Sequence, residues 1–142
     1  MHALDSKVML YGQNVWQAIG AISRVMNGVQ NEIFGDEISE KGNTMRRVAE
    51  QLLKIECSFR EIIPRKAYNQ LLLKDLIALL KEHHNRIFNW GRIAQLTNHL
   101  SHDSGKPKIK EELIELIVLI LDYANELRAL VTSRPTPKKP SK

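Results

Sequence analysis

The stretch Leu113-Ile114-Glu115-Leu116-Ile117-Val118-Leu119-Ile120-Leu121 holds one acid among eight apolar residues. Its apolar positions fall on most faces of a 3.6-residue period, and a helix apolar nearly all round belongs in the middle of a bundle. Burying Leu113, Ile117, Ile120 and Leu121 at about 1.5–3 kcal/mol each would go far towards holding such a fold. The helix is expected from about Pro107 to Val131, after the break His102-Asp103-Ser104-Gly105-Lys106-Pro107.

The same period runs upstream. Leu4, Val8, Tyr11, Val15, Ile19, Ile22, Met26 and Val29 step by three and four and mark one long first helix. Gly12 and Gly20 fall inside it, where a bend or a close packing contact is expected. A loop of about fourteen residues follows, punctuated by Gly35 and Gly42. Thr44 reads as the cap of the next helix, whose stripe is Met45, Val48, Leu52, Ile55 and Phe59, and Pro64 as its stop. Tyr68, Leu72, Ile77 and Leu80 outline a further stretch in two pieces. Asn89 caps a helix through Trp90, Ile93, Leu96 and Leu100. No segment alternates with period two, so the expectation is an all-α bundle of about six helices.

The 142 residues suit one domain, with 43% hydrophobic and 26% charged residues, as in globular proteins. A domain over 1–132 is expected, followed by a disordered tail over 133–142. That tail, SRPTPKKPSK, holds Arg134, Lys138, Lys139 and Lys142 and no acid, so it carries nearly all of the net charge of +5. The nearly neutral remainder is a poor nucleic-acid footprint. The tail's basic charge suits a solubilising end better than contact with acidic lipid. No run reaches the length of a membrane span, and no secretory leader is visible. Cys57 stands alone, which excludes an internal disulfide and a cysteine-based zinc site.

Three clusters carry conceivable chemistry. His83, His84, His99 and His102 lack carboxylates at matching spacing, and a zinc centre usually needs three protein ligands, so no metal is expected. Glu111, Glu112 and Glu115 would need a second acidic helix to hold magnesium; they read instead as acids near a helix N-terminus. Arg92 followed seven residues later by His99 resembles a weak signature of HEPN-type helical ribonucleases. There the His would act as base and the Arg would stabilise the phosphorane.

The rarest string is Asn89-Trp90-Gly91-Arg92-Ile93. Asn89 caps the helix and can offer its amide to a ligand. Trp90 buries a large ring. Gly91 lets another helix approach the backbone. Arg92 presents a planar fork matched to a carboxylate. With Phe88, this string resembles the first homology motif of the Bcl-2 family, whose core reads N-W-G-R. Upstream, Thr44 to Leu52 resembles the family's third homology motif, BH3. Met45, Val48, Ala49 and Glu50 fill its large, apolar, small and acidic positions, with Ala49 for the usual Gly and Glu50 for the usual Asp.

The resemblance implies a bundle around a central apolar hairpin, made by the two helices after Asn89, with a truncated C-terminus. It implies a surface groove that receives the BH3 helix of a pro-apoptotic partner such as Bim, read through anchors at i, i+3, i+4 and i+7. Asn89, Gly91 and Arg92 would line that groove, and Arg92 would pair with the partner's acid. The apolar floor would be Val48, Leu52, Leu73, Ile77, Leu80 and Ile93. No reaction and no cofactor is implied. The usual second homology motif and the C-terminal anchor are missing, and the loop between the first two helices is short. That compactness is similar to virus-encoded, pro-survival members, such as those of iridoviruses. It places the activity in the host cytoplasm or peripherally at mitochondria. Self-association is expected if the missing tail helices leave an apolar patch.

Overall fold

The computed structural model describes residues 3–30, 32–84, 88–101 and 107–133; for 3–10 it describes the backbone. Among these residues are five α-helices and one 3-10 turn: α1 (Ala3–Gly28), α2 (Gly35–Phe59), the turn Tyr68–Gln70, α3 (Leu73–His83), α4 (Trp90–Ser101) and α5 (Lys110–Thr132). The all-α class is as expected, and the stretch around Leu72 does come in two pieces. The expected basic tail lies outside the described residues but for Ser133, and so does most of the break after Ser101.

The start of α2 corrects the sequence reading. The loop after α1 is short, because α2 begins at Gly35 rather than at Thr44. Thr44 is no cap: its hydroxyl donates to the Glu40 carbonyl inside the helix, at 3.1 Å. Ile33 and Ile38, on either side of the true N-cap Phe34, are both buried and form a hydrophobic staple. Glu37 accepts the Phe34 N–H at 3.4 Å. At its far end α2 stops at Phe59, before Pro64 is reached, and Glu61 takes a left-handed φ of 59°.

Gly42, expected in a loop, lies within α2 and is buried. A Cβ there would sit 2.7 Å from the Leu100 Cβ and 3.3 Å from the Leu100 carbonyl oxygen, so the glycine lets α4 press on α2. Lys108 donates to Ser39 at 2.7 Å and ties the chain before α5 to the same end of α2.

The expected central hairpin of the last two helices is not the organising element. It is α2 that packs against all four other α-helices, while α5 packs against α1, α2 and α4. The physical reason lies in the sidedness of α5. Leu113, Leu116, Ile117, Ile120, Tyr123, Ala124, Leu127 and Val131 form its buried face, whereas Val118 is 42% exposed and Ile114 and Leu121 are half-buried. α1 runs antiparallel to α5: a Cβ on Gly12 would lie 2.9 Å from the Thr132 methyl, and the Arg128 guanidinium sits 4.5 Å over the Trp16 ring. Gly12 is thus a packing contact as expected, while Gly20 meets only its own helix's Arg24. No described helix is long and apolar enough to cross a membrane.

Candidate partner-binding face at the start of α4

The start of α4 is fixed from below by aromatic packing. The Phe88 carbonyl accepts the Trp90 N–H at 2.9 Å, and the Asn89 carbonyl accepts the Ile93 N–H at 3.2 Å, which turns the chain into the helix. Trp90 is buried, with its ring centre 5.0 Å from Phe88 and 4.7 Å from Tyr123, edge to face in the second case. Its indole Nε1 is buried and has no hydrogen-bond partner among the described residues. Tyr123 reaches on into α2: its hydroxyl donates to the buried Glu56 at 2.7 Å, and Arg60 donates to the other oxygen of that carboxylate at 2.8 Å. Trp90 therefore positions the two residues that follow it rather than meeting a ligand itself.

Gly91 is exposed, and a Cβ placed on it would meet nothing within 4 Å. No described helix of the chain approaches there, and the space is open. Asn89 is exposed beside it. Ala94 and Asn98, three and seven residues on, continue the Gly91 face along α4. That face borders a cleft of about 250 Å³ between α2, the start of α3 and α4, lined by Arg46, Glu50, Leu72, Leu73, Lys74, Ala94, Thr97, Asn98 and Ser101. Leu72 stands 55% exposed in its wall.

Arg92 turns the other way, towards α5. Its Nε and Nη2 each donate to one oxygen of Glu115 at 2.7 Å, and its Nη1 donates to Gln95 at 3.0 Å. This is the two-pronged geometry that suits guanidinium and carboxylate. The hydrogen bonds from Arg92 hold the Glu115 carboxyl below the usual carboxylate range, and Glu115 in turn raises the guanidinium. Both side chains stay accessible, at 34% and 43% exposure. One turn pair further along, His99 Nε2 lies 3.1 Å from Glu112. The residues of the ribonuclease reading, Arg92 and His99, thus share one side of α4, each against a carboxylate of α5.

The six positions expected to floor a groove lie elsewhere. Val48, Leu52, Leu73, Ile77, Leu80 and Ile93 are all at most 8% exposed, within the single core. α2 is enclosed by four helices, so its apolar face and those of α3 and α4 turn inward and close over one another. The BH3-like segment is likewise folded into the chain: Met45, Val48 and Ala49 are buried. Glu50 accepts the Leu73 N–H at 3.0 Å and the Arg46 guanidinium at 3.2 Å, so its acid satisfies the N-terminus of α3.

Glu115 as the partner of Arg92, Glu50 as the cap of α3 and the cleft beside Gly91 were not found from the sequence. Both carboxylate contacts span 23 residues, beyond the reach of helical spacing rules. Of the four clustered histidines, His83 has its Nδ1 3.1 Å from the Leu79 carbonyl, His99 lies against Glu112, and His102 lies outside the described residues. No group of three or more metal-ligating side chains occurs among the described residues. The chain matches no protein-family model, no curated protein sequence and no solved structure.

Proposed function

We propose that the chain binds an acid-bearing amphipathic helix of the BH3 type across the start of α4, and so restrains pro-apoptotic Bcl-2 proteins. One observation carries the reading: Arg92 already holds a carboxylate through both prongs of its fork at 2.7 Å, at an accessible position next to an open Gly91. A partner's acid would find the same geometry, and its backbone could lie close over Gly91.

The apolar part of recognition asks more of the fold. Ile77 and Leu80 are closed over by their neighbours, so a partner's apolar anchors would reach them only if α3 swings away from α4. Two features favour α3 as the moving part. It packs chiefly on α2 and only slightly on α4, and at its N-terminus Glu50 of α2 accepts the Leu73 N–H while its own Asp75 accepts the Leu72 N–H. The cleft lined by Leu72, Lys74, Ala94 and Asn98 marks the seam at which it would part.

The inhibitory direction is supported by the charge on α4 and α5. Arg92, His99, Glu112 and Glu115 line their shared rim, and inserting such a pair into hydrocarbon would be costly. On this reading the protein sequesters its partners in the cytoplasm or at the mitochondrial surface and has no reaction of its own.

Calorimetric titration with a panel of BH3 peptides, including that of Bim, tests this. The expected outcome is nanomolar to low-micromolar binding to at least one peptide, weakened tenfold or more by Arg92→Ala. A panel without any binding overturns the proposal.

A further inference from the structure

Resting on the helix-binding reading above, we infer that Glu115 is a built-in competitor for Arg92, which makes the site selective for partners whose own carboxylate can displace it. The observations are geometric. Glu115 fills two of the three donor directions that Arg92 uses, and it comes from a different helix. Gln95 fills the third from the same helix as Arg92, at 3.0 Å. If Glu115 leaves, Gln95 still holds one nitrogen, so the fork stays extended and ready. Glu115 is also 43% exposed, so its carboxylate can return to water when it is displaced.

The consequence is an exchange of like for like. A partner carrying a carboxylate replaces the bidentate pair it breaks. A partner carrying a neutral side chain leaves Arg92 on Glu115 and gains nothing there. The state that binds the partner is then only part of the population, which lowers apparent affinity by that fraction. Removing the competitor removes the penalty for acidic partners alone. Exchange also leaves the number of paired charges unchanged, so binding by the intact protein should depend little on salt. Without Glu115 a new ion pair forms on binding, and affinity should fall as salt rises. The neighbouring acid Glu112 lies 3.1 Å from His99, while Nε and Nη2 of Arg92 donate to Glu115, so Glu115 is the carboxylate to be displaced.

The test uses the full chain and its Glu115→Gln variant, each titrated with the Bim BH3 peptide and with the same peptide carrying Asn at its acidic position. The expected result for Glu115→Gln is about fivefold tighter binding of the acidic peptide, no change for the Asn peptide, and a steeper salt dependence. Equal affinities of variant and parent for the acidic peptide, while Arg92→Ala weakens it, would overturn the competitor role and leave helix binding standing. An equal gain for both peptides would do the same. Absence of binding by both proteins to both peptides would remove the helix-binding reading and this inference together.

Discussion

At one end of α4, Leu100 is pressed onto Gly42 so closely that an added Cβ would lie 2.7 Å from its neighbour; at the other, Gly91 faces open space. Two glycines on opposite sides of one packing problem thus serve unlike ends. Gly42 is there because two helices cross with no room for a methyl group. Gly91 has no such neighbour in its own chain, and its lack of a side chain matters only to something that comes from outside. The closed end secures α4, and the open end carries the exposed Asn89 and the accessible Arg92. Stability and recognition are therefore separated along a helix of twelve residues.

Substitution at the closed end should have the largest effect. Gly42→Val drives a branched side chain into the Leu100 backbone and should cost about 3 kcal/mol or more, read as a lower urea midpoint. A variant as stable as the parent would show that the two helices can part, and the comparison would fail. Next comes Tyr123→Phe, which keeps the ring under Trp90 but deletes the hydrogen bond to buried Glu56. A loss of about 1–2 kcal/mol is expected in chemical denaturation. No loss would mean that ring packing alone anchors the open end.

How far the sequence revealed these ends follows from the range of the forces involved. The stripe of α1, the existence of α5, the division around Leu72 and the burial of Trp90 could all be read, because each rests on apolar spacing within one segment; the one-sidedness of α5 could not. Gly35 and Gly42 read as loop, and Thr44 as a cap, because their helix propensities are weak; tertiary packing of Ile38 and Gly42 overrides them. Arg92 was legible as a carboxylate receptor, but its partner on α5 was not. Val48, Leu52, Leu73, Ile77, Leu80 and Ile93 were correctly apolar. Whether an apolar face looks into a core or a groove depends on which helices cover it, and spacing within one helix does not carry that.

Smaller effects sharpen the contrast. Burial lifts the Cys57 thiol to about 11 from an ordinary 9.0, aided by Glu56. Its proton is held more tightly in the folded state, so stability should fall as pH rises from 9 towards 11. The thiol should also resist labelling at pH 8 until the chain unfolds, which a colorimetric thiol assay would follow. Gly91→Ala should leave stability unchanged or raise it by about 0.5 kcal/mol, whereas Gly91→Leu should fold normally yet lose peptide binding.

The smallest effect belongs to the Arg92–Glu115 pair. The Glu115 carboxyl is depressed in the folded state, so its contribution is present above the ordinary carboxylate range and is lost as pH falls through the folded value. The thermal midpoints of the parent and Glu115→Gln should differ slightly at neutral pH and converge once the pH has fallen through the depressed Glu115 value.

The antiparallel seam between α1 and α5 bears on how the chain acquires its structure. Gly12 meets Thr132 and Trp16 meets Arg128 across nearly the whole described sequence. During synthesis α1 is complete long before its main packing partner exists. α2 can cover part of its apolar stripe, but the part that packs on α5 must stay uncovered, or be shielded by a chaperone, until α5 emerges. Contacts of such separation also slow folding relative to a bundle whose helices pack only on their neighbours in sequence. A refolding rate well below that of a sequentially packed helical bundle of similar length is the kinetic signature of that seam.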